Sequence, residues 1–573
     1  MVIFDEIVKH HAEDPHVRCA EDSLSTSWSA RERLSIECVH RRMIEKAARP
    51  AVLWLLSIVL AALFAAFQIQ SSLHSGSLSV PATYDDVGYF NDALGRLDVL
   101  YRSNGWTFLK SFWTNPPHAP LQTILAMLGF SLFGPRPWAA DVMNALPLSV
   151  VLFLFLGFAC RSLPLAVAVV LAVALLGYPL LSLLVLEFRP DMLCALLTSI
   201  GALTVVADPR WRNGQRAALG TTIALFVGAL LAKPTLAPVT VAVFGVAVLT
   251  VLAFHSSSWG DAKQVARIAA ACGGLAALII LPYYVAVLPR LVGYISINAF
   301  GASANLWRAN ISWSEHALYY LTGSGGQVAI SGGWLALGCA SLILTLPVWI
   351  RTRRTTLAIF VVAFAGYASV TVPSMKSPLL GVIVSAFVLC TLAILVVRLL
   401  DRWPGQLSLV AAIALLAFSV VTWRPVALAM RSAATPTNSA QAEHYSRIYA
   451  QAVDAIASIP ELERRHLYFP VISQYLNPDN LEFALRRRAL PVPGMPRVYL
   501  DGDISFHEAL IAKSDLVVLF SDESSLPMPW PASSVIRREI GAAVAASSAF
   551  ESVATVDGGL FPGKVVVLKR KGT

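Results

Sequence analysis

Carboxylates, cations and an aromatic hydroxyl stand where the apolar segments of this sequence end. In ATYDDVGYFNDALGRL (82–97), Asp85, Tyr89, Asp92 and Arg96 recur at spacings of four, three and four residues. On a helix they share one face. Asp85 and Asp86 point in different directions from a helix start, so at most one faces a cleft while the other caps the helix or meets water. EFRPDM (187–192) puts Glu187, Arg189 and Asp191 at the mouth of two apolar segments, and Lys233 in LLAKPT and Lys376 in SMKSP each end one. Ionisable groups at that depth are expensive and usually functional. Lys233, Lys376 and Arg189 beside carboxylates suit an anionic lipid phosphate, while a screened carboxylate such as Asp85 suits a general base. The plainer readings are a capped interfacial helix, an Arg–carboxylate pair at the headgroups and lysines that anchor there.

What must position these residues is a set of membrane helices. The chain of 573 residues is 56% hydrophobic and 14% charged, more apolar than a soluble core of this length requires. Apolar stretches of roughly 18 to 25 residues recur, each long enough to cross about 30 Å of hydrocarbon. Spanning helices are expected near 51–70, 138–158, 164–184, 191–207, 217–232, 235–253, 265–288, 327–350, 356–372, 378–399 and 407–429, about eleven in all.

Basic residues set the orientation. Arg31, Arg33, Arg41, Arg42, Lys46 and Arg49 hold the N-terminus in the cytoplasm, and the later inside turns carry Arg161; Arg210, Arg212 and Arg216; Lys263 and Arg267; Arg351, Arg353 and Arg354; Arg398 and Arg402. The net charge of +9 thus serves topology rather than a nucleic acid. This assignment requires the apolar segment 119–133 to lie at the outer interface as a short helix. A cytoplasmic tail (1–50), a transmembrane domain (51–430) with a first outer loop (71–137), a second outer loop (289–326) and an extracytoplasmic region (431–573) follow. In that last region HLYFPV (466–471), SDLVVLF (514–520) and KVVVLKR (564–570) alternate with helical patterns and predict a small α/β domain. GGLFPG (558–563) precedes a strand instead of following one, unlike a nucleotide-binding loop. The seven cysteines show neither a disulfide framework nor zinc spacing. Residues 1–42 lack the apolar core of a signal peptide, so no cleavage is expected.

Taken in order, the motifs resemble those of the GT-C superfamily of integral membrane glycosyltransferases, and within it the lipid A aminoarabinose transferases and protein O-mannosyltransferases. The resemblance covers roughly residues 50–400 and rests on the acidic pair Asp85–Asp86, the Pro-containing helix ending in Phe-Gly (116–134), the Pro190–Asp191 turn, Lys233 and Lys376, and the Glu315–His316 pair in WSEH. It implies a polytopic α-helical GT-C fold. The implied reaction moves a sugar from a polyprenyl-phosphate donor to an envelope lipid, glycan or protein, with inversion, on the outer face of a bacterial inner membrane. Asp85 would be the base, with Asp86 beside it; Lys233, Lys376 and Arg189 would hold the donor phosphate; Tyr89, Glu187, Asp191, Glu315 and His316 would position substrates. Asn115-Pro116-Pro117-His118 replaces a Glu-Lys-Pro stretch, so aminoarabinose is not carried over as the sugar. Glu315 and His316 are an incomplete set for a divalent cation, and no cofactor is assigned. A transporter or flippase for a polyprenyl-linked glycolipid is the alternative, expected to show charged or broken helices at mid-membrane and internal repeats. A membrane scaffold presenting the α/β domain would leave the outer-mouth carboxylates unexplained.

Overall fold

Long apolar runs with Pro at their first positions and few internal charges have one low-energy form in lipid, the hydrogen-bonded helix. In the computed structural model the described residues are 30–75, 77–82, 84–299, 304, 308–321, 332–345, 353–373, 375–377, 379–422, 438–473, 476–520, 531–557 and 564–572. The chain divides into a unit of residues 1–57 and a unit of residues 58–573. In the first, the described residues are helical, with Pro50 inside the helix Ala30–Ser75.

Among the described residues eight helices are long and apolar enough to cross a membrane, or nine if one bent pair counts as a single span. The chain is a multi-pass membrane protein. Each expected span contains a helix among the described residues, but four differ from expectation. The segment 164–184 is broken into Leu165–Leu176 and Pro179–Leu186, bent by 67°; Gly177-Tyr178 precede Pro179, which disfavours helix in the residue before it. The helix Trp259–Ala299 runs for 41 residues with Pro282 and Pro289 inside it, well past the expected end at 288 and into the expected second outer loop. The helix Arg216–Ala232 is 17 residues long, one residue short of the shortest spanning helices, and within the expected span 327–350 the described helix, Gly332–Leu344, has 13 residues.

The first outer loop is helical too: Tyr84–Arg102, Gly105–Thr114 and Pro120–Phe133. The last is the apolar segment expected to lie at the interface, 14 residues long. A staple fixes this loop. Arg96 donates from Nε to Asp92 at 3.0 Å, from one terminal nitrogen to Ser111 Oγ at 2.9 Å and from the other to the Asn115 carbonyl at 2.6 Å.

The C-terminal region is the expected α/β domain. Its sheet has the order β1 (Leu467–Tyr468), β2 (Leu516–Phe520), β4 (Lys564–Arg570), β3 (Phe550–Asp557), with β1 parallel to β2 and the other pairs antiparallel. Ile448, Val453, Ile456, Phe469, Leu481, Val518 and Val567 belong to its buried core. This domain belongs to the same unit as the helices from residue 58 onward. Its helix Pro478–Arg487 packs on Tyr84–Arg102: Phe483 lies 5.4 Å from the Phe90 ring, the Asn91 amide donates to the Asp479 carbonyl at 2.9 Å, and the Asn480 amide donates to the Ala82 carbonyl.

Candidate active site

The helix Tyr84–Arg102 opens on the acidic pair, so Asp85 and Asp86 lie in its first turn. The side chain of Asp85 lies outside the described residues. Asp86 is buried, and its Oδ1 lies 3.8 Å from Nε of Arg189, which is 3.3 Å from Oε2 of Glu187. Local structure explains the arrangement. Glu187 C-caps the buried helix Pro179–Leu186, Arg189 occupies the N-cap of Pro190–Ala207, and Pro190 starts that helix. One guanidinium in a two-helix turn therefore stands between a carboxylate of its own turn and one from the first outer loop. Asp191, in the first turn of the same helix, benefits from the positive end of the helix dipole. It accepts a hydrogen bond from Lys233 Nζ at 3.1 Å, and Lys233 in turn C-caps Arg216–Ala232. Asp86, Glu187, Arg189, Asp191 and Lys233 are thus assembled by three separate stretches of sequence. Three carboxylates meet two cations.

Other expected site residues make contacts nearer home. Lys376 Nζ donates to the carbonyls of Thr371 at 2.6 Å and Pro373 at 2.7 Å and sits 5.5 Å from the Tyr320 ring centre; burial pulls its pKa down. These contacts tie it to its own turn, not to Arg189 or Lys233. That turn is also bound to the preceding segment, through an antiparallel bridge between Arg308 and Met375 and a hydrogen bond from the Ser377 amide to Tyr320. Glu315 forms a capping box with Ser312, whose backbone and hydroxyl hydrogen bonds hold its carboxyl below the usual range. His316 lies 6.2 Å from the Trp313 ring. Tyr89 is buried, 6.3 Å from His118, which in turn lies 5.8 Å from Tyr294.

Two features escaped the reading by hydropathy. Asp141, in the helix Pro137–Val142, is 1% exposed and close enough to Asp86 and Glu187 for their charges to act on it. A single acid inside an apolar run barely lowers its mean hydropathy. Asn91, Asn480 and Phe483 couple the helix carrying Asp86 to the C-terminal domain, and nothing in either segment alone signals the other. Among the described residues no group of three or more acidic, histidine or cysteine side chains is placed to hold a metal ion.

Neither a protein-family model nor a curated protein matches the sequence. The fold does match: helical membrane domain and C-terminal α/β domain together define a GT-C architecture. In particular, the chain is similar to crystal structures of ArnT from Cupriavidus metallidurans. In the apo state the TM-score is 0.55 at 17% identity, covering 90% of this chain and 98% of ArnT. Bound to undecaprenyl phosphate it is 0.51 at 16% identity, covering 92% and 98%. An oligosaccharyltransferase of Archaeoglobus fulgidus, tethered to an acceptor peptide, aligns with a TM-score of 0.46 at 11% identity, over 82% of this chain and 69% of that one. The GT-C likeness read from the motifs is thus matched at the level of fold.

Proposed function

We propose that this protein is a glycosyltransferase that takes a sugar from a polyprenyl-phosphate donor and gives it to an envelope lipid, glycan or protein on the outer face of a bacterial inner membrane. The observation that carries the reading is the ion-paired cluster of Asp86, Glu187 and Arg189 next to Asp191 and Lys233. ArnT, which shares the fold, has been solved with undecaprenyl phosphate bound.

In this reading the acceptor oxygen attacks the anomeric carbon opposite the phosphate, with inversion. The bond between that carbon and the phosphate oxygen breaks, its electrons stay on the polyprenyl phosphate, and the acceptor proton passes to Asp85. Arg189 and Lys233 offset the charge growing on the phosphate, an effect strengthened by low-dielectric surroundings. Lys376 joins them by exchanging two carbonyls of its own turn for phosphate oxygens. Asp86 assists the base; Tyr89, Glu187, Asp191, Glu315 and His316 position sugar and acceptor.

The 67° break between Leu176 and Pro179 favours a second reading, a transporter or flippase for a polyprenyl-linked glycolipid, because broken helices line passage routes. One experiment separates them. Purified protein in lipid is incubated with radiolabelled polyprenyl-phosphate sugars and membrane extract, beside Asp85→Asn and Asp86→Asn. Transfer that falls at least ~100-fold in a folded variant supports the transferase. No donor consumed, with lipid moving between leaflets, establishes the second reading instead.

A further inference from the structure

The helix Pro190–Ala207 has Asp191 in its first turn and Asp208 as its C-cap. A helix of 18 residues rises about 27 Å, roughly the thickness of the hydrocarbon layer. Asp208 therefore marks the membrane face opposite the cluster described above, and it borders a cavity of about 200 Å³. The walls are apolar, including Leu152, Phe155, Ile200, Leu203, Leu389 and Ile394, and the polar groups of the lining are concentrated around Arg161, Asp208 and Arg210.

At that rim Arg210 donates to Asp208 from Nε at 3.1 Å and from a terminal nitrogen at 2.7 Å, and Arg161 approaches the same carboxylate at 3.4 Å. The Asp208 side chain is 10% exposed, while those of Arg161 and Arg210 are 47% and 44% exposed. The carboxylate is enclosed by its partners, whereas each guanidinium has five N–H donors and shows nearly half of its surface. Two cations against one anion leave a positive charge at the mouth of a hydrocarbon-lined cavity.

We propose that this cavity holds one acyl chain of an anionic glycerophospholipid from the surrounding bilayer, with the lipid phosphate seated on Arg161 and Arg210. The charge selects the occupant. A purely apolar molecule has no use for two exposed guanidinium groups, and a zwitterionic headgroup cancels most of their attraction. The site lies one helix length from the paired cluster, so it stands whether or not the chain transfers sugars.

The test titrates the full-length protein, purified in neutral detergent, with dioleoyl phosphatidylglycerol and with dioleoyl phosphatidylcholine, and counts bound lipid by mass spectrometry of the intact complex. The anionic lipid is expected to bind at least about fivefold more tightly per arginine engaged. Ala393→Trp, which fills the cavity, should remove both lipids, and Arg161→Gln with Arg210→Gln should erase the preference between them. Should that pair of substitutions prevent folding, Asp208→Asn tests the same point with opposite sign, because losing the counter-charge should tighten phosphatidylglycerol binding. Equal retention of the two lipids by the wild type, or phosphatidylglycerol binding untouched by Ala393→Trp, overturns the proposal. So does displacement of the diacyl lipid by an equimolar polyprenyl phosphate.

Discussion

Arg189 lies 3.8 Å from Asp86, a residue carried on a different helix and separated from it in sequence by the rest of the first outer loop, the helix Pro137–Ala159 and the bent pair Leu165–Leu176 and Pro179–Leu186. It holds Glu187 at 3.3 Å with the same nitrogen. Replacing it by Gln leaves two carboxylates facing each other without a cation. The pair is only partly desolvated, with side-chain exposures of 19% and 11%, so a loss of about 1–3 kcal/mol is expected. Thermal unfolding in detergent measures it, and transfer should fall by more than the stability loss explains. Arg189→Lys should recover part of the stability and little of the activity, since an ammonium cannot reproduce the planar fork.

Lys233 and Asp191 form the second pair, at 3.1 Å with side-chain exposures of 18% and 5%. Lys233→Met, Asp191→Asn and the double variant make a cycle whose coupling should be about 0.5–3 kcal/mol. If Lys233 also meets the donor phosphate, Lys233→Met weakens donor affinity more than Asp191→Asn does, as a binding isotherm for the polyprenyl phosphate would reveal. Additive effects on stability would show that the two side chains act independently.

Phe483 joins the C-terminal domain to the helix carrying Asp86. It is 4% exposed, with ring centres 5.4 Å from Phe90 and 6.1 Å from Phe130. Phe483→Ala should cost about 3–5 kcal/mol and expose residues around 470–490 to protease. Transfer should drop with it, because Tyr84–Arg102 loses the surface that fixes it. Unchanged proteolysis and melting would mean that the domain does not support the site.

Gly129 lets the helix Pro120–Phe133 lie directly against Pro137–Val142. A Cβ at Gly129 would stand 2.1 Å from the backbone carbonyl oxygen of Ala139, with no side chain able to move aside. Small residues permit such close approach between membrane helices. Gly129→Ala should lower the melting temperature by several degrees or more, whereas Gly157→Ala, with open space around it, should leave it unchanged or raise it. The displaced backbone carries Asp141, so transfer should also suffer in the first variant.

Burial by itself would raise the Asp208 carboxyl, but hydrogen bonds from Arg210 and the charges of Arg161 and Arg210 outweigh it and hold the group below the usual carboxylate range. A depressed carboxyl stabilises the fold at pH above its unfolded pKa, and that contribution disappears as pH falls through the folded value. Wild-type stability should therefore decline on the acid side of pH ~4, and in Asp208→Asn this limb should be flatter. Melting temperatures at successive pH values compare the two.

Hydropathy alone located the membrane helices, because a bilayer demands an apolar helix of about 20 residues wherever the chain crosses, and that demand is local. The same rule put Glu187, Arg189, Asp191 and Lys233 at helix ends, where charge is tolerated. Three strands of the C-terminal sheet, β1, β2 and β4, are plain in the sequence as apolar runs. β3 was missed because its sequence, FESVATVD, mixes polar with apolar residues, and a strand paired only to β4 at the sheet edge has little apolar surface to cover. The break at Gly177-Tyr178 could have been read from the following Pro179, but continuous hydropathy hid it.

Tertiary structure alone decided which charges meet. That Arg189 pairs with Asp86, that Lys233 pairs with Asp191 while Lys376 turns to the carbonyls of Thr371 and Pro373, and that Phe483 braces the helix of Asp86 are outcomes of how helices and loops are arranged in space. Hydropathy says where an apolar helix is required, since that depends on each residue's own transfer energy. It does not say which end lies beside which, because that depends on packing between segments far apart in the chain.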